Sequence, residues 1–304
     1  MCGIIGGVTK KIISNEVLNS IEHRGPDSNG LFIDDKVFLG HTRLSIQDLS
    51  NKANQPMLSE CKNFVIIFNG EIYNHNEIRR EHLQNIDFNS SGDTETLLRA
   101  YIKYGESCLE LLNGIFAFAI YNISKREFFI VRDQFGVKPL YIYRDKSQFL
   151  FASEIKSFLT FDIDKTLSIE ALEDYLTLLW SPGEKTPFKH VRKLLPGSYI
   201  KGSFDDFSQI HEKVYYDKVP NGSFLNITED ETIDQLDKLL TRAVERQLLS
   251  DVPVGFFLSG GLDSTLLVAI AKKLRPDIRF PCFTIDVNSG SSNVEGFSDD
   301  LYYA

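Results

Sequence analysis

Positive charge is scarce in this 304-residue chain, where 33 Lys and Arg face 42 Asp and Glu for a formal net charge of −9. A protein that grips a phosphate backbone needs a basic face, which excludes nucleic acid as the main partner. Cysteine is sparse as well. Cys2, Cys61, Cys108 and Cys282 stand far apart with no CxxC pair. That spacing fits neither a disulfide framework nor a structural zinc site, and it suggests a reducing cytosol. No apolar run approaches the roughly 20 residues of a membrane-spanning helix, so no membrane partner is expected. The first residues lack the basic and apolar blocks of a secretory signal, and a cytoplasmic location follows as the expectation. Repeats and low-complexity tracts are missing too. What is there, 42% apolar and 25% charged residues, is ordinary globular composition at a length suited to two domains.

The chain opens on Met1-Cys2-Gly3-Ile4-Ile5-Gly6. A small residue after Met lets the Met be removed, which would place a thiol and a free α-amine on Cys2. With reference pKa values of about 7.7–8.0 for the amine and about 8.5 for the thiol, the amine can take the thiol proton near neutral pH. Position 2 alone admits another reading, a buried strand cysteine before a glycine turn.

Short apolar and β-branched runs at Gly3–Val8, Leu31–Ile33, Val37–Ile46, Phe64–Phe68, Ile115–Tyr121, Glu127–Val131, Leu140–Tyr143 and Phe149–Ala152 predict strands. Helices are expected at Asn15–Ile21, Asn76–Gln84, Thr94–Tyr104 and Ser168–Leu179, the last with Ser168 as N-cap. Bunched strands without regular βαβ alternation indicate an α+β domain of stacked sheets. From Tyr216 to Glu229 the chain turns polar around Pro220-Asn221-Gly222-Ser223. We therefore read residues 1–216 as one domain, 217–230 as a linker and 231–304 as the start of another. The latter predicts a helix over Glu231–Leu249, a strand Val254–Leu258, a helix Ser264–Leu274 and a strand Phe280–Asp286, a unit of an α/β parallel sheet.

Three positions suggest acyl-transfer chemistry, each with a plainer alternative. Asn69-Gly70 can supply a side-chain amide and an approachable N–H to an oxyanion, or form a hairpin turn. Arg43 can pair with a substrate carboxylate, or be a solvated strand residue. Asp93 can hold an ammonium group, or cap a helix. Taken together, Cys2, Arg43, Asn69, Gly70, Glu71 and Asp93 are the parts needed to grip the amino-acid end of glutamine and attack its side-chain amide.

Met1-Cys2-Gly3-Ile4-Ile5-Gly6 is followed by His23-Arg24-Gly25-Pro26-Asp27, Gly40-His41-Thr42-Arg43-Leu44-Ser45-Ile46 and Asn54-Gln55-Pro56-Met57. Then come Asn69-Gly70-Glu71-Ile72-Tyr73-Asn74, Gly92-Asp93-Thr94-Glu95 and Arg132-Asp133-Gln134-Phe135-Gly136-Val137-Lys138-Pro139-Leu140-Tyr141. In this combination the chain, up to about residue 216, resembles the class II (N-terminal nucleophile) glutamine amidotransferase domain of glutamine-hydrolysing asparagine synthetases. The resemblance implies an αββα sandwich of two antiparallel sheets between helix layers. It also implies Cys2 as nucleophile, Asn69 and the Gly70 N–H as oxyanion hole, Arg43 for the glutamine carboxylate, and Glu71 with Asp93 for its α-ammonium. His23 and His41 need be no more than hydrogen-bonding structural residues.

Further on, Leu258-Ser259-Gly260-Gly261-Leu262-Asp263-Ser264 forms a strand-to-helix turn that offers N–H groups and hydroxyls to an anion. It lacks the Gly-Lys-Ser/Thr ending of a Walker A loop, and it resembles the pyrophosphate loop of the ATP pyrophosphatases. The ATP-binding candidates are Leu258, Ser259, Gly260, Gly261, Asp263 and Ser264, with Asp263 placed to hold Mg²⁺. The implied reaction is glutamine hydrolysis at Cys2, with the ammonia amidating aspartate that ATP has activated as β-aspartyl-AMP. Glutamine, aspartate and ATP are then the partners, and a homodimer the assembly. Only two strands of the second sheet precede Ala304, so we expect a synthetase half that is incomplete here and a complete glutaminase half. Two other readings stand beside this one: amidation of a different acceptor, and a non-catalytic glutamine- or partner-binding remnant.

Overall fold

The computed structural model describes residues 1–217, 222 and 225–285, and the chain divides into two units, Met1–Val219 and Pro220–Ala304. Pro220, Asn221 and Ser223 of the polar turn, and Asp286 of the expected last strand, lie outside the described residues.

In the first unit the strands are β1 (Gly3–Val8), β2 (Ser28–Asp34), β3 (Val37–Arg43), β4 (Met57–Leu58), β5 (Phe64–Ile72) and β6 (Gly114–Asn122). They continue with β7 (Glu127–Arg132), β8 (Tyr141–Arg144), β9 (Phe149–Ala152), β10 (Val191–Lys193), β11 (Ser198–Ser203) and β12 (His211–Val214). Three α-helices join them: α1 (His75–His82), α2 (Asp93–Tyr104) and α3 (Ile169–Leu178). The strands make two six-stranded sheets, in the orders β10-β8-β9-β1-β3-β2 and β12-β11-β7-β6-β5-β4, and every pairing in them is antiparallel.

Period-two alternation sorts the side chains of each strand between two cores, because successive Cβ atoms point to opposite faces. Ile4, Leu39, Val65, Ile67, Ala117, Ala119, Ile130 and Phe151 fill the space between the sheets. Their sequence neighbours Ile66, Phe68, Phe116, Phe118 and Phe129 turn outward under α1, α2 and the 3₁₀ segment Gly105–Leu111. On the other sheet, Ile5, Phe38 and Leu150 turn outward under the 3₁₀ segments Asn15–Arg24 and Ile155–Thr160. The result is an αββα sandwich. The short helix expected at Asn15–Ile21 is a 3₁₀ helix over Asn15–Arg24, and it buries Val17, Leu18 and Ile21.

Residues 69–71 also differ from the simplest reading. They do not turn. They extend β5, with Asn69, Gly70 and Glu71 opposite Ala117, Phe116 and Ile115 of β6. Gly70 has a steric reason to be glycine, since a Cβ there would lie 2.2 Å from the Ile115 carbonyl oxygen. Phe116 spends both its N–H and its C=O on Asp133. Gly70 and Phe116 therefore face each other as a non-hydrogen-bonded pair, which turns the Gly70 N–H toward the other edge of β5.

In the second unit, α4 (Glu229–Gln247) starts with a capping box in which the Thr228 hydroxyl accepts from the Glu231 N–H and the Glu231 carboxylate accepts from the Thr228 N–H. The strand expected over Val254–Leu258 shortens to β13 (Phe256–Phe257), followed by α5 (Leu262–Leu274) and β14 (Cys282–Phe283). β13 and β14 pair in parallel, so the segment is a β-loop-α-β unit. Among the described residues no helix is long and apolar enough to cross a membrane.

Candidate functional site

The strand register brings the start of β1 and the ends of β3 and β5 to one place. Cys2 precedes β1, whose Gly3 lies opposite Thr42 near the end of β3, so the Cys2 thiol sits against Leu44. The Leu44 N–H reaches Sγ at 3.4 Å, and the thiol points back to the Leu44 carbonyl at 3.6 Å. The last residues of β5 and the first turn of α2 close the other side. A cavity of about 170 Å³ results, and Cys2, Arg43, Asn69, Gly70, Glu71 and Asp93 all line it. Residues spread over 92 positions of sequence thus share one cavity.

Burial dominates the electrostatics there. It pushes the Cys2 thiol above its ordinary range, while the Leu44 N–H, the chain's terminal amine and the Arg43 guanidinium pull it back. The Met1 amine, beside Cys2, is pushed down mainly by burial, with Arg24 and Lys138 adding to the effect. Asp93 is 6% exposed. Burial, with the Glu71 charge next to it, raises its carboxyl to about 7. Its Oδ2 accepts the Ile72 N–H at 2.9 Å. Asp93 is the first residue of α2, and Gly92 occupies the N-cap, so the helix-capping alternative does not describe it. Glu71 is raised by burial and partly restored by Lys138.

Arg43 is not a solvated strand residue, being 6% exposed. Its Nη1 donates to the Ser50 carbonyl and to Asn54 Oδ1, at 2.9 and 2.8 Å. Its Nη2 donates to the carbonyls of Gln47, at 3.3 Å, and Asp48. All four Nη hydrogens are thereby engaged within the loop that follows β3. Asp48 then ties that loop to the approach of α2 by accepting the Ser91 N–H at 2.7 Å.

Asn69 contrasts with this. It is 1% exposed, and among the described residues neither its buried amide oxygen nor its buried amide nitrogen has a hydrogen-bond partner. Leaving a buried amide unpaired costs on the order of 1–3 kcal/mol, and native structures rarely tolerate it. The backbone before Asn69 is held firmly. The Phe68 N–H donates to Gln55 Oε1 at 2.6 Å, and His41 Nε2 meets the Phe68 carbonyl at 3.1 Å. His41 is fully buried, and burial pushes it down to about 3, so the ring is neutral and donates through Nε2. It bridges the sheet that carries Cys2 to the sheet that carries Asn69.

Three participants were not selected as site residues from the sequence. Gln55 anchors β5 as described. Arg24 donates from Nε to the Cys2 carbonyl at 2.9 Å and from Nη1 to Glu154 at 2.9 Å, while His23 joins the same carboxylate. Lys138, 8% exposed, lines the cavity. All three lie within the motif runs of the sequence. What was missing was any local signal that these positions converge on Cys2.

In the second unit, Ser259, Gly260, Gly261, Asp263 and Ser264 follow β13 and Leu258 and lead into α5. Gly260 takes a φ of 72°, and Gly261 is the N-cap. Ser264 Oγ closes the turn, with Ser259 Oγ at 3.1 Å and the Gly261 carbonyl at 3.1 Å. The first-turn N–H groups of α5 have no carbonyl partner within the helix and face the loop. Asp263 lies in that turn and is exposed. Among the described residues no group of three or more His, Cys, Asp or Glu gathers for a metal. The donor set fits an ion held by one carboxylate and completed by phosphate oxygens and water, as Mg²⁺ commonly is.

An αββα sandwich whose cavity opens at the start of its first strand, beside a cysteine at position 2, is the architecture of the N-terminal-nucleophile class. The chain belongs to the glutamine amidotransferase domain family, whose model matches residues 1–216, and residues 235–304 match the asparagine synthase family. Glutamine-hydrolysing asparagine synthetase 1 of Bacillus subtilis is 37% identical over 92% of this chain and 45% of its own length. A putative glutamine-hydrolysing asparagine synthetase 2 of Methanocaldococcus jannaschii is 36% identical over 94% of this chain and 59% of its own. The chain thus spans about half the length of the curated relatives it matches. Among solved structures, the glutamine phosphoribosylpyrophosphate amidotransferase of B. subtilis shares the fold, with a TM-score of 0.53 at 16% identity over 99% of this chain and 70% of that one.

Proposed function

We propose that the first unit hydrolyses glutamine to glutamate and ammonia through a thioester on Cys2. Removal of Met1 puts the α-amine on Cys2, where it takes the thiol proton as Sγ attacks the side-chain amide carbon. The carbonyl oxygen becomes an oxyanion that receives hydrogen bonds from Asn69 Nδ2 and the Gly70 N–H. Collapse breaks the C–N bond, the proton on the amine leaves with the nitrogen as ammonia, and the thioester remains. Water then adds to the thioester carbon, the C–S bond breaks, glutamate departs and the thiol regains a proton. Glu71 and Asp93 hold the substrate ammonium, which favours the ionised form of both acids. A substrate carboxylate paired with Arg43 replaces the longest of its four bonds, that to the Gln47 carbonyl.

One observation carries this reading: the buried, unpaired Asn69 amide in the cavity that Cys2 lines. An oxyanion arriving there supplies the missing acceptor for its N–H group. In the second unit the turn from Ser259 to Ser264 would take the pyrophosphate of ATP, and Asp263 would hold a Mg²⁺ that neutralises phosphate charge. The whole-protein reaction we propose is asparagine synthesis from aspartate, ATP and the released ammonia.

Ammonia release from glutamine and AMP formation should be measured separately on the chain and on Cys2→Ala, with intact mass to establish that Met1 is absent. Cys2→Ala should release no ammonia while still binding glutamine. Ammonia release that survives this substitution, or activity in a chain that keeps Met1, would overturn the thioester mechanism.

A further inference from the structure

We propose that Lys138 is a positioning residue for the nucleophile, its ammonium held in the cavity beside Cys2 and Glu71 so that negative charge on the Cys2 sulfur is favoured. This rests on the reading of Cys2 as the nucleophile.

The loop that carries Lys138 is locked on both sides. Asp133, fully buried, accepts the N–H groups of Phe135 and Val137 on Oδ1, each at 3.0 Å, and that of Lys138 on Oδ2 at 2.9 Å. Arg132, at the end of β7, donates from Nε to the Lys138 carbonyl at 2.9 Å and from Nη2 to the Gly136 carbonyl at 2.7 Å. Gly136 supplies the positive φ, 65°, that this tight path requires. Lys138 is therefore fixed through its own N–H and C=O before its side chain enters the cavity. Preorganisation of this kind is what a charge acting on a reaction centre needs.

The side chain ends differently from a structural lysine. It is only 8% exposed, and among the described residues its Nζ makes no hydrogen bond or ion pair. Withdrawing an ammonium from water without a partner is costly. Such groups are concentrated at functional sites. Arg43, also in the cavity lining, has its Nη hydrogens already engaged, whereas among the described residues the Lys138 Nζ donors meet no acceptor.

The charges facing these groups come from every packed element. Lys138 feels Glu71 of β5, the Cys2 thiol, Asp133 of its own loop and, with opposite effect, Arg24 of the 3₁₀ segment Asn15–Arg24. Burial outweighs the attractions and lowers its ammonium below the ordinary lysine range. Cys2 also faces Asp93 of α2, which opposes a thiolate, and Arg43 of β3, which supports one. The Met1 amine, which leaves with Met1, faces Arg24, Lys138 and Asp27 as well as Cys2. Lys138 thus assists the attack by stabilising the sulfur anion.

Lys138→Met keeps the length and removes the charge, and Lys138→Arg keeps the charge. Both should be compared with the parent chain for the pH profile of Cys2 alkylation by iodoacetamide, with Cys2→Ser as the blank for the other cysteines. Glutaminase kcat and KM and a thermal melt complete the set. Lys138→Met should move the alkylation profile up by about one pH unit and lower kcat about tenfold near neutral pH, with a smaller change in KM. Lys138→Arg should retain the parent profile. Lys138→Gln serves as a second neutral variant if the Met side chain disturbs folding. A folded neutral variant whose alkylation profile superimposes on the parent's overturns the proposal. A parent chain that releases no ammonia overturns the glutaminase reading instead, and the alkylation comparison still decides for or against Lys138.

Discussion

Asp93 makes the unliganded protein pH-sensitive in a direction that can be worked out. Its carboxyl, at about 7 against an ordinary 3.8, holds a proton more tightly in the folded chain than in the unfolded one. Below pH 4 both states are protonated and Asp93 costs nothing. As the pH rises toward 7 the unfolded chain ionises while the folded chain keeps its proton, so stability falls across that interval and levels off above it. At 1.36 kcal/mol per pH unit, the gap corresponds to a ceiling of about 4 kcal/mol. Part of it comes from the Glu71 charge, so the titration belongs to the pair. Asp93→Asn cannot ionise, yet its amide oxygen can still accept the Ile72 N–H. Urea unfolding of both proteins from pH 4 to 8 isolates the effect as a difference curve, because every other carboxylate is common to the two. The parent should lose stability relative to Asp93→Asn up to pH 7, and glutamine, by bringing an ammonium to the pair, should restore much of it. A flat difference curve would refute the assignment of the raised carboxyl to Asp93.

Two further outcomes follow from the same cavity. Asn69→Ala should lower glutaminase kcat by about 10²–10³-fold with little change in KM, and it should leave the melting temperature nearly unchanged, because the amide it removes satisfies nothing in the unliganded fold; a large loss of stability would mean that Asn69 is structural. His41, pushed down to about 3 by burial, should show no imidazole titration by NMR between pH 5 and 8, and a midpoint inside that range would contradict its role as a neutral donor to the Phe68 carbonyl.

Much of the fold was readable in local pattern, and the exceptions have physical causes. The runs at Gly3–Val8, Phe64–Phe68, Ile115–Tyr121 and Phe149–Ala152 alternate between two apolar cores, a signal carried by consecutive residues. Strands β4, β10, β11 and β12 were not anticipated. Three of these lie at sheet edges, where one side of the strand has no pairing partner and burial demands less of the sequence. β5 runs to Ile72, beyond Phe68, because β6 continues opposite Asn69, Gly70 and Glu71, a nonlocal pairing that overrides the turn tendency of Asn-Gly. β13 is short although Val254–Leu258 is apolar, since a parallel strand is only as long as the neighbour it pairs with, here β14.

For the site, the order of motifs along the chain was enough to assemble Cys2, Arg43, Asn69, Gly70, Glu71 and Asp93 as one set, because each motif is a short run whose residue types already limit its chemistry. The state of each group was decided by tertiary structure alone. Folding saturates Arg43 with four acceptors, leaves Asn69 with none, raises Asp93 by burying it beside Glu71, and brings Lys138 from a distant loop to the same cavity. Hydrogen-bond saturation and burial depend on which atoms of distant segments come within a few ångströms, and no stretch of sequence contains that information by itself. Cys2 shows both halves. Position 2 and the glycine after it already permitted a nucleophile, and only the packed cavity determined which charges its sulfur must work among.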